Sequence, residues 1–425
     1  MNGDLVSFLR IHTAVALLAV LLVPPGASAQ TPDTLWIADA VAQVRRANPM
    51  LQAARYQADA VGERGSQAGA LPDPVLTLGL RNRPLDGFGT DNPMTMNWIG
   101  LSQSFPWPGN QGFGEQRQEH FARAADLDAD EMEAALVARV KEVYFQLAYM
   151  DRALDIMGST REFLRDFLAV TSAKYAVGDG LQQDILQAQV AIAQMTADIT
   201  TVEQNRVAMA ARLNSLLGRP ATEPVGALEL PEPVGSLPAV DSLMAAAARN
   251  RPAIQAARER ALAAEAGYRA AERDAYPDFT VALGYGQRPE FVDLATIQVG
   301  ISLPLWSGSK QQPRIREMQA VQSTEQAREL DLHYETFARL SELRAVAERS
   351  RDLCELYRTS ILPQAQAAVE SALSAYQVGA VDYMTLLTNQ TIVNRFKTER
   401  VRLAAEYQAS VAGIVALTGQ TMGVQ

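Results

Sequence analysis

One cysteine, few aromatics and a shortage of basic charge mark this sequence before any motif does. Cys354 has no possible intramolecular partner, which excludes an internal disulfide, and in a helical segment it reads as a small packing residue. Aromatic residues make up 7% of the chain against 48% hydrophobic residues in all. Alanine supplies much of the difference, and such a composition favours closely packed helices over a bulky globular core. The net charge is −10, and it stays −10 without the first 29 residues, where Asp4 and Arg10 cancel. That balance argues against nucleic acid as a partner, because binding it calls for basic patches. It suits either ordinary solubility or a lumen that tolerates cations.

Catalytic and metal chemistry are as poorly represented. His120 and His333 lie inside long helical segments, outside any H-x-x-x-H spacing. No glycine-rich phosphate loop and no nucleophile motif is found, so neither an enzyme nor a cofactor is expected. Met94 and Met96 offer two soft sulfurs without an evident third ligand, and no metal site is assigned to them. Asp126, Asp128, Asp130 and Glu131 read as a solvated helix face. Beyond residue 29 no stretch approaches the ~20 apolar residues of a membrane helix. Residues 1–29 read as a secretory signal: Arg10, an apolar run from Ile11 to Val23, and an A-x-A site at Ala27-Ser28-Ala29.

What is present occurs twice. Tyr175, Gly178, Leu186, Gln189 and Gly218 recur as Tyr376, Gly379, Leu387, Gln390 and Gly419, always 201 residues on (376 − 175 = 201). Such a period organises the whole reading. Within the repeated stretch a 3,4 spacing holds. It runs Ile185, Ala188, Ile192, Met195, Ile199 and onward to Leu216, and again from Leu386 to Leu417. A period of 3.5 is the seam of helices wound into a left-handed coiled coil.

In chain order, two short helices over 33–48 and 50–70 give way at Pro72 and Pro74 to a period of two. Strands are expected over about 75–82 and 94–104, separated by a loop rich in Gly, Asp, Asn and Pro. No proline interrupts about 111–176, which predicts one helix on the order of 100 Å long. With the returning limb it makes a helical hairpin over about 111–217. Residues 219–238, with five prolines, read as a linker. The second copy repeats the programme with strands over about 279–286 and 295–303 and a hairpin over about 313–418. The chain thus divides into a signal (1–29), a first repeat (30–236) and a second (237–425). Four strands with one apolar face suit a membrane barrel but cannot close one, since the smallest such barrels have about eight. The alternative is a soluble sheet covered by helices, a periplasmic coiled-coil scaffold.

The order of these elements resembles the outer-membrane efflux factors, the TolC-like family. The similarity covers essentially all of the chain after the signal. Its motifs are Tyr175-x-x-Gly178 with Asp184-Ile-Leu-x-Ala-Gln189, Tyr376-x-x-Gly379 with Leu386-Leu387-x-x-Gln390, Leu71-Pro-Asp-Pro74, and Gly100-Leu-Ser-Gln-x-Phe-Pro106. The resemblance implies a mainly α fold with a small transmembrane β part, a TolC-like α/β barrel. It implies a homotrimer whose chains each give four strands to a 12-stranded barrel in outer-membrane lipid, above a periplasmic helical tunnel. It further implies a periplasmic adaptor and an inner-membrane pump of the resistance–nodulation–division type as partners, and passive conduction as the activity. The loop from Pro84 to Pro93 followed by Met94-Thr-Met96 resembles the heavy-metal branch. The cargo expected is heavy-metal cations or small toxic compounds, and a type I protein secretion duct would use the same fold. The periplasmic tips fall at Tyr175, Gly178, Asp179 and Gly180 and at Tyr376, Gly379 and Ala380, where the adaptor would dock. The entrance lining falls at Asp184, Asp382, Thr385 and Thr388. Some family members carry two aspartates where this chain has Thr385 and Thr388, so a milder acidic ring is expected, with Asp184 or Asp382 contributing.

Overall fold

A computed structural model describes residues 34–85, 89 and 91–420. The signal at 1–29 and the helix start read at Pro32 and Asp33 lie outside the described residues. Three short helices, α1 (Ile37–Ala47), α2 (Pro49–Gly62) and α3 (Arg64–Gly69), lead into strands β1 (Val75–Arg81) and β2 (Met96–Phe105). The long hairpin follows as α4 (Asn110–Ala176) and α5 (Gln182–Leu216). The second half repeats the plan: α6 (Val240–Asn250), α7 (Pro252–Arg273), β3 (Phe279–Gln287), β4 (Leu294–Ile301), α8 (Gln311–Leu356), α9 (Leu362–Gln377) and α10 (Tyr383–Thr418). Among the described residues no helix is long and apolar enough to cross a membrane.

The 67 residues of α4 make a rod of about 100 Å, and the 35 of α5 cover only half of it. The remainder is covered by α2 and α3, which also pack on α4. One side chain joins the two pieces. Asn48 Oδ1 accepts from the backbone N–H of Met50 and Leu51, capping α2, while its Nδ2 donates to Leu216 O at the end of α5 (2.8 Å). In the second half Asn250 Nδ2 donates to Thr418 O, and α7 continues the line of α10. Every seam residue of α5 and α10 from Ile185 to Leu216 and from Leu386 to Leu417 is buried or half-buried, as the period of 3.5 requires.

The second long helix departs from the uninterrupted rod expected over 313–376. A π-helical turn, Tyr357–Ile361, separates α8 from α9 just ahead of Pro363. Proline has no N–H to donate and its ring clashes with the carbonyl four residues back, and widening the turn relieves both. Residues 219–238 are also more than a linker. Leu228 and Leu230 pack on the core of α1, α4 and α5, Tyr144 Oη donates to Leu35 O and accepts from Glu229 N, and Tyr407 Oη donates to Val234 O. The segment is laid against one face of the helical layer.

The acidic run of α4 is not simply solvated. Asp126 is exposed, but Asp130 pairs with Arg55 of α2 (2.8 Å), Asp128 with Arg260 of α7, and Glu131 with Arg251 at the start of α7 (2.8 Å). Glu131 also accepts from Ala253 N, and Arg251 donates to Thr336 of α8. These acids pin the short helices to the long ones, at a spacing that looked like an ordinary polar face. Arg251→Ala should leave Glu131 half-buried without its counter-charge and cost about 2 kcal/mol, between the surface and buried limits for ion pairs. A thermal unfolding midpoint equal to that of the unaltered protein would show that the pair contributes nothing.

The four strands form one antiparallel sheet in the order β1-β2-β3-β4, leaving β1 and β4 as edges. Register puts Leu76, Leu101, Leu283 and Ile297 in one row across all four strands and Leu78, Ile99 and Tyr285 in the next. All seven are exposed. The other face carries Thr77, Gly100, Gly284 and Thr296 in one row and Gly79, Trp98, Gly286 and Leu294 in the next. The strand ends at Val75, Phe105, Phe279 and Ile301 adjoin the helices, and those at Arg81, Met96, Gln287 and Leu294 lie far from them. The junction is fixed by Trp107, whose ring stacks on Tyr276 (5.1 Å) and Phe279 (5.8 Å) and whose backbone N–H donates to Asp278 Oδ1.

Candidate functional site at the hairpin tips

Both long hairpins turn at the end of the molecule farthest from the sheet, and both turns are built alike. After Ala176, Gly178 takes φ 86°. Its N–H donates to Tyr175 O, and that of Asp179 donates to Lys174 O (both 3.0 Å). After Gln377, Gly379 takes φ 74°, its N–H donates to Tyr376 O, and that of Ala380 donates to Ala375 O. This pair of bonds closes a helix on a left-handed residue, which glycine adopts without the penalty of a Cβ.

The two returning helices start differently. At α10, Asp382 is the N-cap: its Oδ1 accepts from Thr385 N (2.9 Å) and from Thr385 Oγ1 (2.6 Å). The equivalent residue of the first copy, Leu181, provides no side-chain cap. Thr385 therefore serves the cap rather than standing free on the lining. Its hydroxyl and N–H hold the Asp382 carboxyl below the usual range. Asp184 lies in the first turn of α5 and is half-buried. Burial, and then the charge of Asp382, push its carboxyl above the usual range. The structure thus brings Asp184 and Asp382 into one electrostatic neighbourhood, with Tyr376 and Tyr383 beside them: the Asp184 charge adds to burial in raising both phenols, Tyr383 to about 12. Thr388, Asp179 and Ala380 are exposed, and nothing joins Thr388 to that group.

The repeat pair Tyr175 and Tyr376 is not equivalent in space. Tyr175 is 47% exposed and Tyr376 only 5%. Tyr376 belongs to a cluster of Phe167, Ala188, Ala372, Tyr383 and Leu386. Phe167 is its centre, with ring centroids 5.0 Å from Tyr376 and 5.2 Å from Tyr383. Lys174 crosses between the hairpins, its Nζ donating to Tyr376 O (2.9 Å) and lying 4.5 Å from the Tyr376 ring centre. Phe167, Lys174 and Tyr383 were not singled out from the sequence. The available signals were a Phe163–Phe167 pair at helical spacing and a lysine in the last turn of a helix, where a cation meets the carbonyl ends.

Behind the tips a groove of about 800 Å³ runs over α4 between α5 and α10. Leu164, Leu186, Val190 and Leu387 give it an apolar floor, and Gln187, Gln194 and Gln390 give it amide edges. The groove holds no nucleophile–base pair. The tip offers a packed aromatic closure, two carboxylates of unequal proton affinity and a surface of mixed polarity.

Comparisons with known proteins agree over both halves of the chain. Residues 40–219 and 243–420 match a protein family described as outer membrane efflux protein. Pyoverdine export outer membrane protein OpmQ of Pseudomonas aeruginosa is 26% identical over 382 residues, which cover 82% of this chain and 77% of that protein. Among solved structures, the outer membrane protein VceC of Vibrio cholerae superposes with a TM-score of 0.77 at 16% identity, over 90% of this chain and 96% of its own. The MtrE outer membrane channel of Neisseria gonorrhoeae, in its open state, superposes with a TM-score of 0.75 at 15% identity, over 90% and 88%. The structural likeness is one of fold.

Proposed function

The chain belongs to the outer membrane efflux protein family, and from that premise we propose that it is the exit duct of a tripartite efflux system. It lies in the outer membrane with a periplasmic extension. In this reading it conducts solutes passively from an inner-membrane pump and its periplasmic adaptor to the exterior.

The observation that carries the reading is the sheet. It has two free edges, one exposed apolar face and one face of small and polar residues, and all its helices leave from the same end. In lipid, free edges are not tolerated and a barrel needs about eight strands or more, so several copies must join β4 of one to β1 of the next. A homotrimer closes 12 strands from three sheets of four. A soluble scaffold would leave the apolar sheet face in water, a patch larger than soluble proteins carry without use. Of the two cargo classes expected from the sequence, small toxic compounds are preferred to heavy-metal cations, because a relative is named for the export of pyoverdine and not of a metal. Incorporation of the purified protein into planar bilayers, with recovery as a trimer that dissociates only on heating, tests the proposal. A monomer with no conductance would overturn it.

At the other end the tips form the entrance and the adaptor's docking surface. Gly178, Gly379, half-buried Gly180, the groove over α4 and exposed Tyr175, Asp179 and Ala380 are what the adaptor meets. Asp184 and Asp382 give the entrance its negative charge. Asp184→Asn combined with Asp382→Asn, which keeps a capping side chain, should move the cation-to-anion permeability ratio toward anions by about twofold. An unchanged reversal potential would remove both residues from the lining.

The raised carboxyl of Asp184 also predicts a pH dependence. A folded tip that holds this proton more tightly than the unfolded chain is stabilised fully below the ordinary aspartate pKa, and it loses that contribution as pH rises through the raised value. Acidification should therefore tighten the tip and lower conductance, and Asp184→Asn should flatten the response.

A further inference from the structure

The inner face of the sheet carries a feature that the exit-duct reading does not use. Trp98 sits on β2 with Gly79 beside it on β1 and Gly286 beside it on β3. Its indole lies over Gly284 and Gly100. A Cβ added at Gly284 would stand 2.0 Å from the ring, and one at Gly100 would stand 2.8 Å from Nε1. All four neighbours therefore lack side chains, and the ring lies along the wall instead of standing off it. Its remaining face is covered by Arg81, whose guanidinium carbon is 3.6 Å from a ring centre. Arg81 is exposed and makes no hydrogen bond or ion pair among the described residues. Both residues belong to the half of the sheet farthest from the helices.

We propose that the Arg81–Trp98 stacks form a cationic, aromatic collar inside the barrel near its outer end. The collar binds planar organic anions in passage, carboxylates or sulfonates carried on aromatic rings. The proposal rests on the exit-duct reading, which makes this face a lumen. Its outward counterpart is the apolar face of Leu76, Ile99 and Ile297, so Arg81 has only the lumen to address.

The chemistry follows from the stack. A guanidinium held flat against an indole keeps its N–H edge free, and that edge fits a carboxylate with two parallel hydrogen bonds. Its open face offers a second plane on which an aromatic anion can lie. The stack also fixes a long side chain before the ligand arrives, which lowers the ordering cost of binding. Three stacks per trimer give weak, equivalent sites, and conduction requires such sites so that the solute can leave. A free metal cation would meet repulsion here. The duct would then be acidic at its entrance, at Asp184 and Asp382, and basic at its exit.

The test uses the full-length trimer in planar bilayers under a KCl gradient, with benzoate and then acetate as the probes. Wild type should pass Cl⁻ more readily than Arg81→Gln does, with the permeability ratio changing on the order of threefold. Benzoate should cause brief blockades in wild type that acetate does not match, and Arg81→Gln should abolish them. Gly284→Val, which displaces the indole while leaving Arg81 in place, should weaken the benzoate block and spare the Cl⁻ preference in part. Conducting Arg81→Gln channels with the wild-type reversal potential and the wild-type benzoate block would overturn the collar while leaving the exit duct intact. A wild-type protein that forms no channel would overturn both.

Discussion

Replacing Ile297 by arginine should abolish assembly in the outer membrane. Ile297 is 78% exposed and stands mid-strand in an apolar row with Leu283, Leu101 and Leu76. The only environment that makes such a row favourable is hydrocarbon. An arginine on the lipid face of a barrel costs about 2–4 kcal/mol near the bilayer midplane, and the cost recurs in every copy. For a protein whose net stability is on the order of 5–15 kcal/mol, a penalty repeated around a trimer is decisive. Thr296→Arg is the matched control. The side chain next along β4 points to the opposite face, so the same charge there enters water. Thr296→Arg should reach the outer membrane as a heat-dissociable trimer with altered conductance, and Ile297→Arg should be found unassembled in the periplasm. Equal amounts of both in the outer membrane would mean that the apolar face is not lipid-facing.

The alternation that makes this prediction possible was legible in the sequence, and so was the plan repeated 201 residues apart. Period-two and period-3.5 patterns report burial directly, because each reflects which side of an element meets apolar surroundings. Gly178 and Gly379 were legible for a similar reason: a left-handed residue at a helix end is a local demand that glycine alone meets cheaply.

Features that depend on what a residue faces across the fold were not legible. Tyr175 and Tyr376 occupy the same place in the repeat, yet one is exposed and the other buried. α5 packs on α4, whereas α10 is enclosed by α4 on one side and by α8 and α9 on the other. Duplication copies the local programme, and position in the layer then makes the copies unequal. The acids of α4 were misread for the same reason, since their partners Arg55, Arg251 and Arg260 lie 75 residues or more away along the chain. Trp98 was not singled out from the sequence. Its setting depends on glycines brought from both neighbouring strands by the register.

Phe167→Ala should open the tip. Phe167 is 4% exposed and touches both tyrosines that flank Asp184, so it joins α4 to α9 and α10 at the level of the entrance. Removing a buried phenylalanine costs about 3–5 kcal/mol through lost contacts and the cavity left behind. Few other contacts at this end can offset that loss: the turns beyond it are exposed, and the long seams lie farther up the rods. The loss should therefore appear as local separation of the hairpins rather than as global unfolding. Single-channel conductance should rise severalfold, and trypsin should cut after Lys174 at a dilution that leaves the unaltered protein intact. The pH response should vanish with the closure, because water entering the cluster removes the burial that raises the Asp184 carboxyl. Phe163→Ala is the graded comparison. Phe163 is half-buried, stacks among the described residues on Phe167 alone (6.3 Å) and should give a smaller rise in conductance with the pH response retained. If Phe167→Ala conducts, resists trypsin and responds to pH as the unaltered protein does, the aromatic cluster is packing alone and the entrance is held shut elsewhere.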